Sequence, residues 1–153
     1  MTHDALVRQA IALAHQARAR GDHPFGALLV IDGTVVLTAL NSVHTDRDPT
    51  AHAETNLVAA AIRQFSAEQL ARAVLYTSCE PCAMCAGKVY WSGIRSIVFG
   101  LSSEELALMA GRDFLVPCRL LFEAAVEPVS VVGPLLLDEA RAVHANYWHE
   151  PAV

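Results

Sequence analysis

The sequence predicts an α/β fold in which helices cover both faces of a mixed sheet. Helical and strand-like segments alternate in the order α-β-β-α-β-α-β-α-β-α, which is typical of a sheet packed between helices. An Asp-Gly dipeptide joins the first two strands as a hairpin, so at least one strand pair is antiparallel. No internal repeat, low-complexity tract or linker interrupts the 153 residues. We therefore expect one domain over residues 1–153.

The first third of the chain predicts a helix followed by a hairpin. Apolar residues recur at helical spacing between Leu6 and Ala17, and Gly21 stands where a C-terminal glycine ends a helix. Residues 25–31 and 34–40 are apolar runs on either side of Asp32-Gly33, a dipeptide that favours a tight hairpin turn. The first two strands are therefore expected to be neighbours in the sheet.

The middle of the chain predicts two helices, each followed by a strand. The segment Asp48-Pro49-Thr50 predicts a helix that reaches to about residue 65, with Asp48 or Thr50 as its cap. Pro81 is expected to begin the second helix, which ends near residue 90. The apolar residues 73–77 and 94–100 predict the two strands.

The last third predicts a short helix, a short strand and a C-terminal helix. Ser102 or Ser103 is expected to cap the short helix, which ends before Gly111. Residues 129–132 predict the strand, and Pro134 is expected to begin a final helix that reaches to about residue 148.

The charge balance disfavours a nucleic acid partner. The 11 basic and 16 acidic residues give a net charge of −5, and Lys88 is the only lysine. No basic cluster is present to displace phosphate counterions. A small uncharged or cationic substrate fits this balance better. Since only 18% of the residues are charged and 54% are hydrophobic, we also expect apolar surface in a subunit interface, and hence a homo-oligomer.

The cysteines favour a metal site in a reducing compartment. Cys79, Cys82 and Cys85 occupy three of seven consecutive positions, and Cys118 is the fourth cysteine. Such crowding suits metal binding better than a set of disulfides. We see no secretory signal, and prolines and charges interrupt the most apolar stretch, so we expect no membrane span and a cytoplasmic location.

Two short motifs carry candidate chemistry at the starts of the two middle helices. They are His52-Ala53-Glu54 and Pro81-Cys82-Ala83-Met84-Cys85. This pattern is the signature of zinc-dependent nucleobase deaminases. His52, Cys82 and Cys85 would be three zinc ligands and leave the fourth tetrahedral position to water, whose pKa zinc lowers to about 7. Glu54 would carry protons without binding the metal.

The spacing of residues within these motifs limits where the metal can lie. Cys82 and Cys85 are three residues apart, so they can point the same way from a first helical turn, where the helix dipole favours the thiolate. His52 and Glu54 would instead lie about 200° apart within a helix. They converge only if the metal lies beyond the end of the helix.

A structural metal site is the main alternative interpretation. Cys79 could join Cys82, Cys85 and His52 in a closed Cys₃His zinc site, or the cysteines could resemble part of an iron–sulfur motif. Glu54 has no purpose in a closed site. We expect Cys79 to be a buried small side chain that points away from the other two, and Cys118 to be a packing residue.

The stretches Pro24-Phe25-Gly26-Ala27, 48–54 and 75–82 give the chain a resemblance to the cytidine-deaminase-like superfamily. It is most similar to guanine deaminases, and also resembles yeast-type cytosine deaminases and tRNA adenosine deaminases. The resemblance extends from about Gly21 to Gly100. It implies a three-layer α/β/α sandwich around a five-stranded mixed sheet, one zinc ion per subunit and a homodimer.

The resemblance also implies substrate contacts. Asn41 would hydrogen-bond the base, Phe25 would pack against the ring, and the backbone N–H of Ala53 would hold the substrate edge. Two blander roles stay open: Phe25 as an ordinary core residue and Asn41 as a turn residue. His44, on the same loop as Asn41, is expected to be a solvated side chain rather than a substrate contact.

The chain departs from the guanine deaminases after Ala110-Gly111. Two consecutive acidic residues follow in that group, whereas here Arg112-Asp113-Phe114 follows. Asp113 would accept a hydrogen bond from an N–H of the substrate, or pair with Arg112 or Arg119. The aromatic residues Tyr147 and Trp148 would close over the pocket or pack in a dimer interface, and Tyr90 and Trp91 are further candidates for the pocket wall.

The sequence therefore predicts a zinc-dependent hydrolytic deaminase that releases ammonia from a free nucleobase or nucleoside. Guanine or a related amino-substituted heterocycle is the favoured substrate, and a purine is favoured over a pyrimidine. The first alternative is a tRNA adenosine deaminase, which the lack of a basic surface disfavours. The second is a zinc-stabilised binding protein without catalysis, which Glu54 argues against.

Overall fold

The computed structural model describes residues 1–111 and 116–148, and a five-stranded sheet forms their centre. The strands run in the spatial order β2-β1-β3-β4-β5. The first strand pairs antiparallel with the second and third, whereas the last three are parallel to one another. This confirms the predicted mixed sheet. The strands are β1 (Gly26–Ile31), β2 (Thr34–Leu40), β3 (Val74–Cys79), β4 (Ser96–Leu101) and β5 (Ser130–Val132).

Helices cover both faces of the sheet, so the three-layer α/β/α prediction is confirmed. Neighbouring residues of a strand point to opposite faces, and β1 contributes alternate residues to two separate cores. Leu28 packs on the side of α1 and α8, and Leu29 packs on the side of α3 and α5. The helices are α1 (His3–Arg20), α2 (Val43–Asp46), α3 (Ala53–Gln64), α4 (Ala67–Ala71), α5 (Ala83–Trp91), α6 (Ser103–Ala110), α7 (Cys118–Phe122) and α8 (Leu137–His144).

The start of β1 lies very close to α1. A Cβ atom added at Gly26 would meet the Cβ of Leu13 at 2.5 Å and the backbone N of Ala14 at 2.6 Å. Only glycine allows the strand to approach the helix backbone this closely. The predicted hairpin is also present, because Asp32 and Gly33 both have positive φ angles, of 49° and 79°.

Three helix starts differ from the sequence predictions. Asp48 and Thr50 do not cap α3, because Asp48 instead accepts hydrogen bonds from Thr50 in the preceding loop, and His52 is the capping residue. Pro81 does not begin α5, whose cap is Cys82. The last helix does not begin at Pro134, because the left-handed backbone of Leu136, with φ 53°, precedes its first turn.

Three short helices, α2, α4 and α7, were not predicted. The start of α4 had a local signal: Ser66 accepts from the backbone N–H of Gln69, and the side chain of Gln69 accepts from the backbone N–H of Ser66. Among the described helices, none is both long enough and apolar enough to cross a bilayer.

Candidate active site

The two motifs meet at the N-terminal ends of α3 and α5. His52 has the extended backbone of a helix cap, with φ −71° and ψ 155°, and α3 starts only at the next residue. Its imidazole therefore projects beyond the end of the helix, whereas Glu54 lies in the first turn. This meets the condition under which residues two positions apart reach the same point. Cys82 caps α5 in the same way, and Cys85 follows in its first turn.

The three donor atoms have the spacing of a tetrahedral zinc site. His52 Nδ1 lies 3.6 Å from Cys82 Sγ and 3.5 Å from Cys85 Sγ, and the three donors lie within 4.8 Å of one another. Zn–S bonds of about 2.3 Å and Zn–N bonds of about 2.0 Å at the tetrahedral angle place sulfur and nitrogen about 3.5 Å apart. The residues present therefore fit a zinc ion.

Among the described residues, Cys79 is not part of this donor cluster. The cluster contains His52, Cys82 and Cys85, and Cys79 is buried in the core on the α1 side of the sheet. Burial raises the pKa of the Cys79 thiol well above its usual value, which favours the protonated form. The geometry thus supports a site with three protein ligands over a closed Cys₃His site.

The cysteine that caps α5 is disposed to ionise. Hydrogen bonds from Cys85 and then from His52, against the effect of burial, lower the pKa of Cys82 to about 4. Hydrogen bonding to Cys82 is in turn the main cause that raises the pKa of His52. A cysteine must be deprotonated to bind a metal, so a readily formed Cys82 thiolate suits a metal ligand.

The carboxylate of Glu54 is buried beside this cluster and held by a threonine. Its Oε1 accepts a hydrogen bond from Thr77 Oγ1 at 2.6 Å, and Cys85 Sγ lies 3.5 Å from its Oε2. Burial is the main cause that raises the pKa of Glu54, and the Thr77 hydrogen bond opposes it. Such a carboxyl group suits proton transfer at neutral pH. Sequence reasoning missed Thr77, whose hydroxyl gave no distinct signal because its neighbours Tyr76 and Ser78 also carry one.

A cavity of about 230 Å³ opens onto the metal-ligand cluster. It brings together Phe25 and Asn41, whose substrate contacts stay predictions, with Glu54 and two of the candidate ligands. Ala53 is not among the residues described on its wall, and its predicted substrate contact stays a prediction. Asp113 lies outside the described residues. The lining residues are His23, Phe25, Asn41, Val43, Pro49, His52, Glu54, Cys79, Glu80, Cys82, Leu106 and Trp148.

Asn41 presents a hydrogen-bond donor to the cavity. Its Oδ1 accepts from the backbone N–H of Val43 at 3.1 Å, which fixes the orientation of the amide. The side chain is almost fully buried, and Nδ2 forms no hydrogen bond within the described part of the chain. A substrate with a carbonyl oxygen or an unprotonated ring nitrogen would satisfy this donor.

Aromatic rings form one wall of the cavity. Trp148 is stacked against His23, with ring centroids 5.5 Å apart, and its ring also lies 6.1 Å from that of Phe25. Tyr147 Oη lies 2.8 Å from His23 Nδ1, and the ring of His44 lies 4.6 Å from that of His23. The chain beyond α8 therefore contributes to the wall in a single copy of the protein. His23 was not recognised in the sequence.

Glu80 lines the cavity, but its carboxylate is already occupied. One oxygen accepts from the backbone N–H and the hydroxyl of Ser103, and the other accepts from the backbone N–H of Cys118. These bonds hold the starts of α6 and α7 beside the cavity. Tyr90 and Trp91, which were candidates for the wall, lie elsewhere: Tyr90 packs against Phe122, and Trp91 is 85% exposed.

Comparisons with known proteins agree on one family of deaminases. The family model of the cytidine and deoxycytidylate deaminase zinc-binding region matches residues 1–101. A Schizosaccharomyces pombe protein named "Probable cytosine deaminase" is 40% identical over 149 residues, which cover 94% of this chain and 91% of the relative. A Bacillus subtilis guanine deaminase is 38% identical over 108 residues, covering 70% and 69%.

Solved structures are similar over most of the chain. A guanine deaminase from Nitrosomonas europaea has a TM-score of 0.80 at 28% identity, and the match covers 92% of this chain and 81% of that one. tRNA-specific adenosine deaminases from several bacteria are also similar in sequence.

Proposed function

Because this chain belongs to the cytidine and deoxycytidylate deaminase zinc-binding family and is a hydrolytic deaminase, we propose that it acts on a free, unphosphorylated heterocyclic base. In this reaction water replaces an amino group on the ring, and ammonia leaves. The observation that carries the proposal is the convergence of three metal donors, a buried carboxylate and an amide donor on one cavity.

Each of these residues has a separate task in the proposed reaction. His52, Cys82 and Cys85 would hold a zinc ion, and when bound it would supply the Lewis acidity that makes water a nucleophile at neutral pH. Glu54 accepts one proton from the attacking water and delivers it to a ring nitrogen, and it then carries the second proton, from the new hydroxyl group, to the departing amino group. Asn41 donates its Nδ2 proton to an acceptor on the ring and so orients the amine-bearing carbon.

The wall of the cavity disfavours a phosphorylated substrate. The lining residues described above include two glutamates and no lysine or arginine. A nucleotide phosphate would find no cationic partner among these described residues and would approach the carboxylates of Glu54 and Glu80. A base without phosphate avoids this cost.

The size and shape of the cavity favour a flat ring. Its volume of about 230 Å³ is below the range of about 300–1,000 Å³ for pockets that enclose drug-sized ligands. Phe25 and Trp148 offer aromatic faces and edges to a planar heterocycle. A free base is therefore favoured over a nucleoside, whose sugar would extend beyond the wall.

Guanine or a related amino-substituted ring is our leading substrate. Its support is the similarity to guanine deaminases in sequence and in structure. Cytosine is the second candidate, because the protein named "Probable cytosine deaminase" matches almost the whole chain. Either base offers an amino group beside a ring nitrogen and an acceptor for Asn41.

Editing of tRNA is an alternative that the charge distribution disfavours. The chain is acidic overall, with a net charge of −5. Five arginines form ion pairs with carboxylates, which leaves less positive charge for a phosphate backbone. These arginines are Arg8, Arg20, Arg72, Arg95 and Arg141.

The homodimer stays a prediction, and exposed apolar side chains support it. Trp91 of α5 is 85% exposed and Leu120 of α7 is 55% exposed. Side chains of this kind are enriched in subunit interfaces. Light scattering at several protein concentrations measures the mass directly.

A coupled ammonia assay over a set of heterocycles tests the proposed function. The set contains guanine, guanosine, adenine, cytosine, isocytosine, and triazine and pterin analogues. We expect turnover of a free base, with guanine fastest and guanosine at least about tenfold slower in kcat/KM. Turnover confined to tRNA, with binding that weakens as salt rises, would contradict the proposal.

A further inference from the structure

A second buried carboxylate lies behind the cavity and takes no part in the proposed chemistry. Asp22 is fully buried in the loop before β1. Its Oδ1 accepts from the backbone N–H groups of His44 and Thr45, both at 2.9 Å. Its Oδ2 accepts from Thr45 Oγ1 at 2.6 Å and from Arg20 Nε at 2.8 Å. Burying a carboxylate is costly unless it is satisfied in this way, and here three of the four bonds come from the segment that follows β2.

The arginine of this pair also reaches Asn41. Arg20 Nη2 donates to the backbone carbonyl of Asn41 at 2.8 Å, while the backbone N–H of Asn41 donates to the carbonyl of Phe25 at 3.0 Å. The main chain of Asn41 is thus held on both sides.

The side chain of Asn41 is fixed through the same network. Its Oδ1 accepts from the N–H of Val43, the first residue of α2. The backbone N–H groups of the next two residues, His44 and Thr45, are the two that Asp22 binds. Asp22 therefore sets the position of the turn that orients the amide, and Arg20 sets the position of the backbone that carries it.

We propose that Arg20 and Asp22 are positioning residues for the substrate, acting through the backbone and the amide orientation of Asn41. This inference rests on the proposed function, in which Asn41 contacts the ring. Neither residue lines the cavity as described, and Asn41 is the lining residue on which the hydrogen bonds of both residues converge. A shift of about 1 Å in a positioning group is enough to slow a reaction by a large factor.

A double-mutant cycle between Arg20→Ala and Asn41→Ala tests this coupling. The side chain of Arg20 is 43% exposed, so its removal leaves no sealed cavity. With the base that wild-type enzyme turns over fastest, we expect Arg20→Ala to lower kcat/KM about tenfold, mainly through KM. In the Asn41→Ala background the same substitution is expected to change kcat/KM by less than about twofold.

The matched control is Arg72→Ala. Arg72 also pairs with an aspartate, Asp32, but this pair is exposed to solvent at the hairpin between β1 and β2 and is not among the residues that line the cavity. It is expected to keep wild-type kcat/KM. Arg20→Lys, which keeps the charge but cannot make both bonds, is expected to lie between wild type and Arg20→Ala, and it replaces Arg20→Ala in the cycle should that variant not fold.

The outcomes separate this inference from the proposed function. Equal losses from Arg20→Ala in both backgrounds, or no loss in either, would overturn the positioning role while wild-type turnover still supports the deaminase. Absence of ammonia release from every base by wild-type enzyme would remove the proposed function and this inference together.

Discussion

The hydrogen bond between Thr77 and Glu54 can be tested by a substitution that replaces only a hydroxyl group by a methyl group. Thr77 is fully buried in β3, and its hydroxyl donates to Glu54 Oε1 at 2.6 Å. Valine has almost the same shape, so Thr77→Val removes the donor and leaves the packing in place. The carboxylate would then lose the partner that fixes its orientation beside the metal-ligand cluster.

The magnitude follows from the chemistry of this bond. A hydrogen bond to a charged group contributes about 1.5–3 kcal/mol, which corresponds to about 10- to 150-fold in a rate constant. Because Thr77 is not among the described residues of the cavity wall, substrate binding is expected to be unchanged. We therefore expect Thr77→Val to lower kcat by about 10- to 150-fold, with KM within about twofold of wild type.

Steady-state ammonia release at several base concentrations separates these two parameters. Thr38→Val is the matched control, because Thr38 is exposed on β2; it is expected to keep wild-type kinetics. Zinc content and circular dichroism show whether Thr77→Val is folded and loaded. A loaded, folded Thr77→Val enzyme with wild-type kcat would refute the assignment of Thr77 as the residue that holds the carboxylate.

Three further predictions concern stability and the metal site. Gly26→Ala is expected to lower the free energy of unfolding by about 3 kcal/mol or more in urea titrations, because the added Cβ would meet the backbone of α1 at 2.6 Å. The control Gly87→Ala, with open space around the added Cβ, is expected to raise the free energy of unfolding by about 0.5–1 kcal/mol. Burial raises the pKa of Asp22, but hydrogen bonds from Thr45 and Arg20 outweigh it and lower that pKa from 3.8 to about 2. The resulting contribution of about 2 kcal/mol to the free energy of unfolding is fully present above pH 3.8 and is lost as the pH falls through about 2. In urea titrations between pH 2 and 5, the free energy of unfolding should therefore change less with pH for Asp22→Asn than for wild type. Cys82→Ser is expected to lose zinc and to melt at a lower temperature, whereas Cys79→Ala is expected to keep its zinc; loss of zinc from Cys79→Ala would instead favour the closed four-ligand site.

Local signals in the sequence predicted most of the sheet and the larger helices. The turn at Asp32-Gly33 could be recognised because its two positive φ angles are a property of those two residues. The start of α4 had the same kind of signal in Ser66 and Gln69 and could have been predicted. The short helix α2 had none, because Asp22, far along the chain, binds its backbone.

The candidate site was predictable where the motif itself determines the geometry. The distance between His52 and the two cysteines follows from the placement of both motifs at helix ends. Its surroundings depend on tertiary structure: Thr77 comes from the neighbouring strand, and Trp148 comes from the other end of the chain. No local pattern predicts which side chains the fold brings to one cavity.

The most direct test of the account is the Glu54→Ala variant, with zinc content and turnover measured on the same sample. Glu54 contacts Thr77 and Cys85 and is not among the metal-donor residues. The account predicts about one zinc ion per chain and a loss of turnover by several orders of magnitude. A folded Glu54→Ala protein that binds zinc and still releases ammonia near the wild-type rate would contradict it.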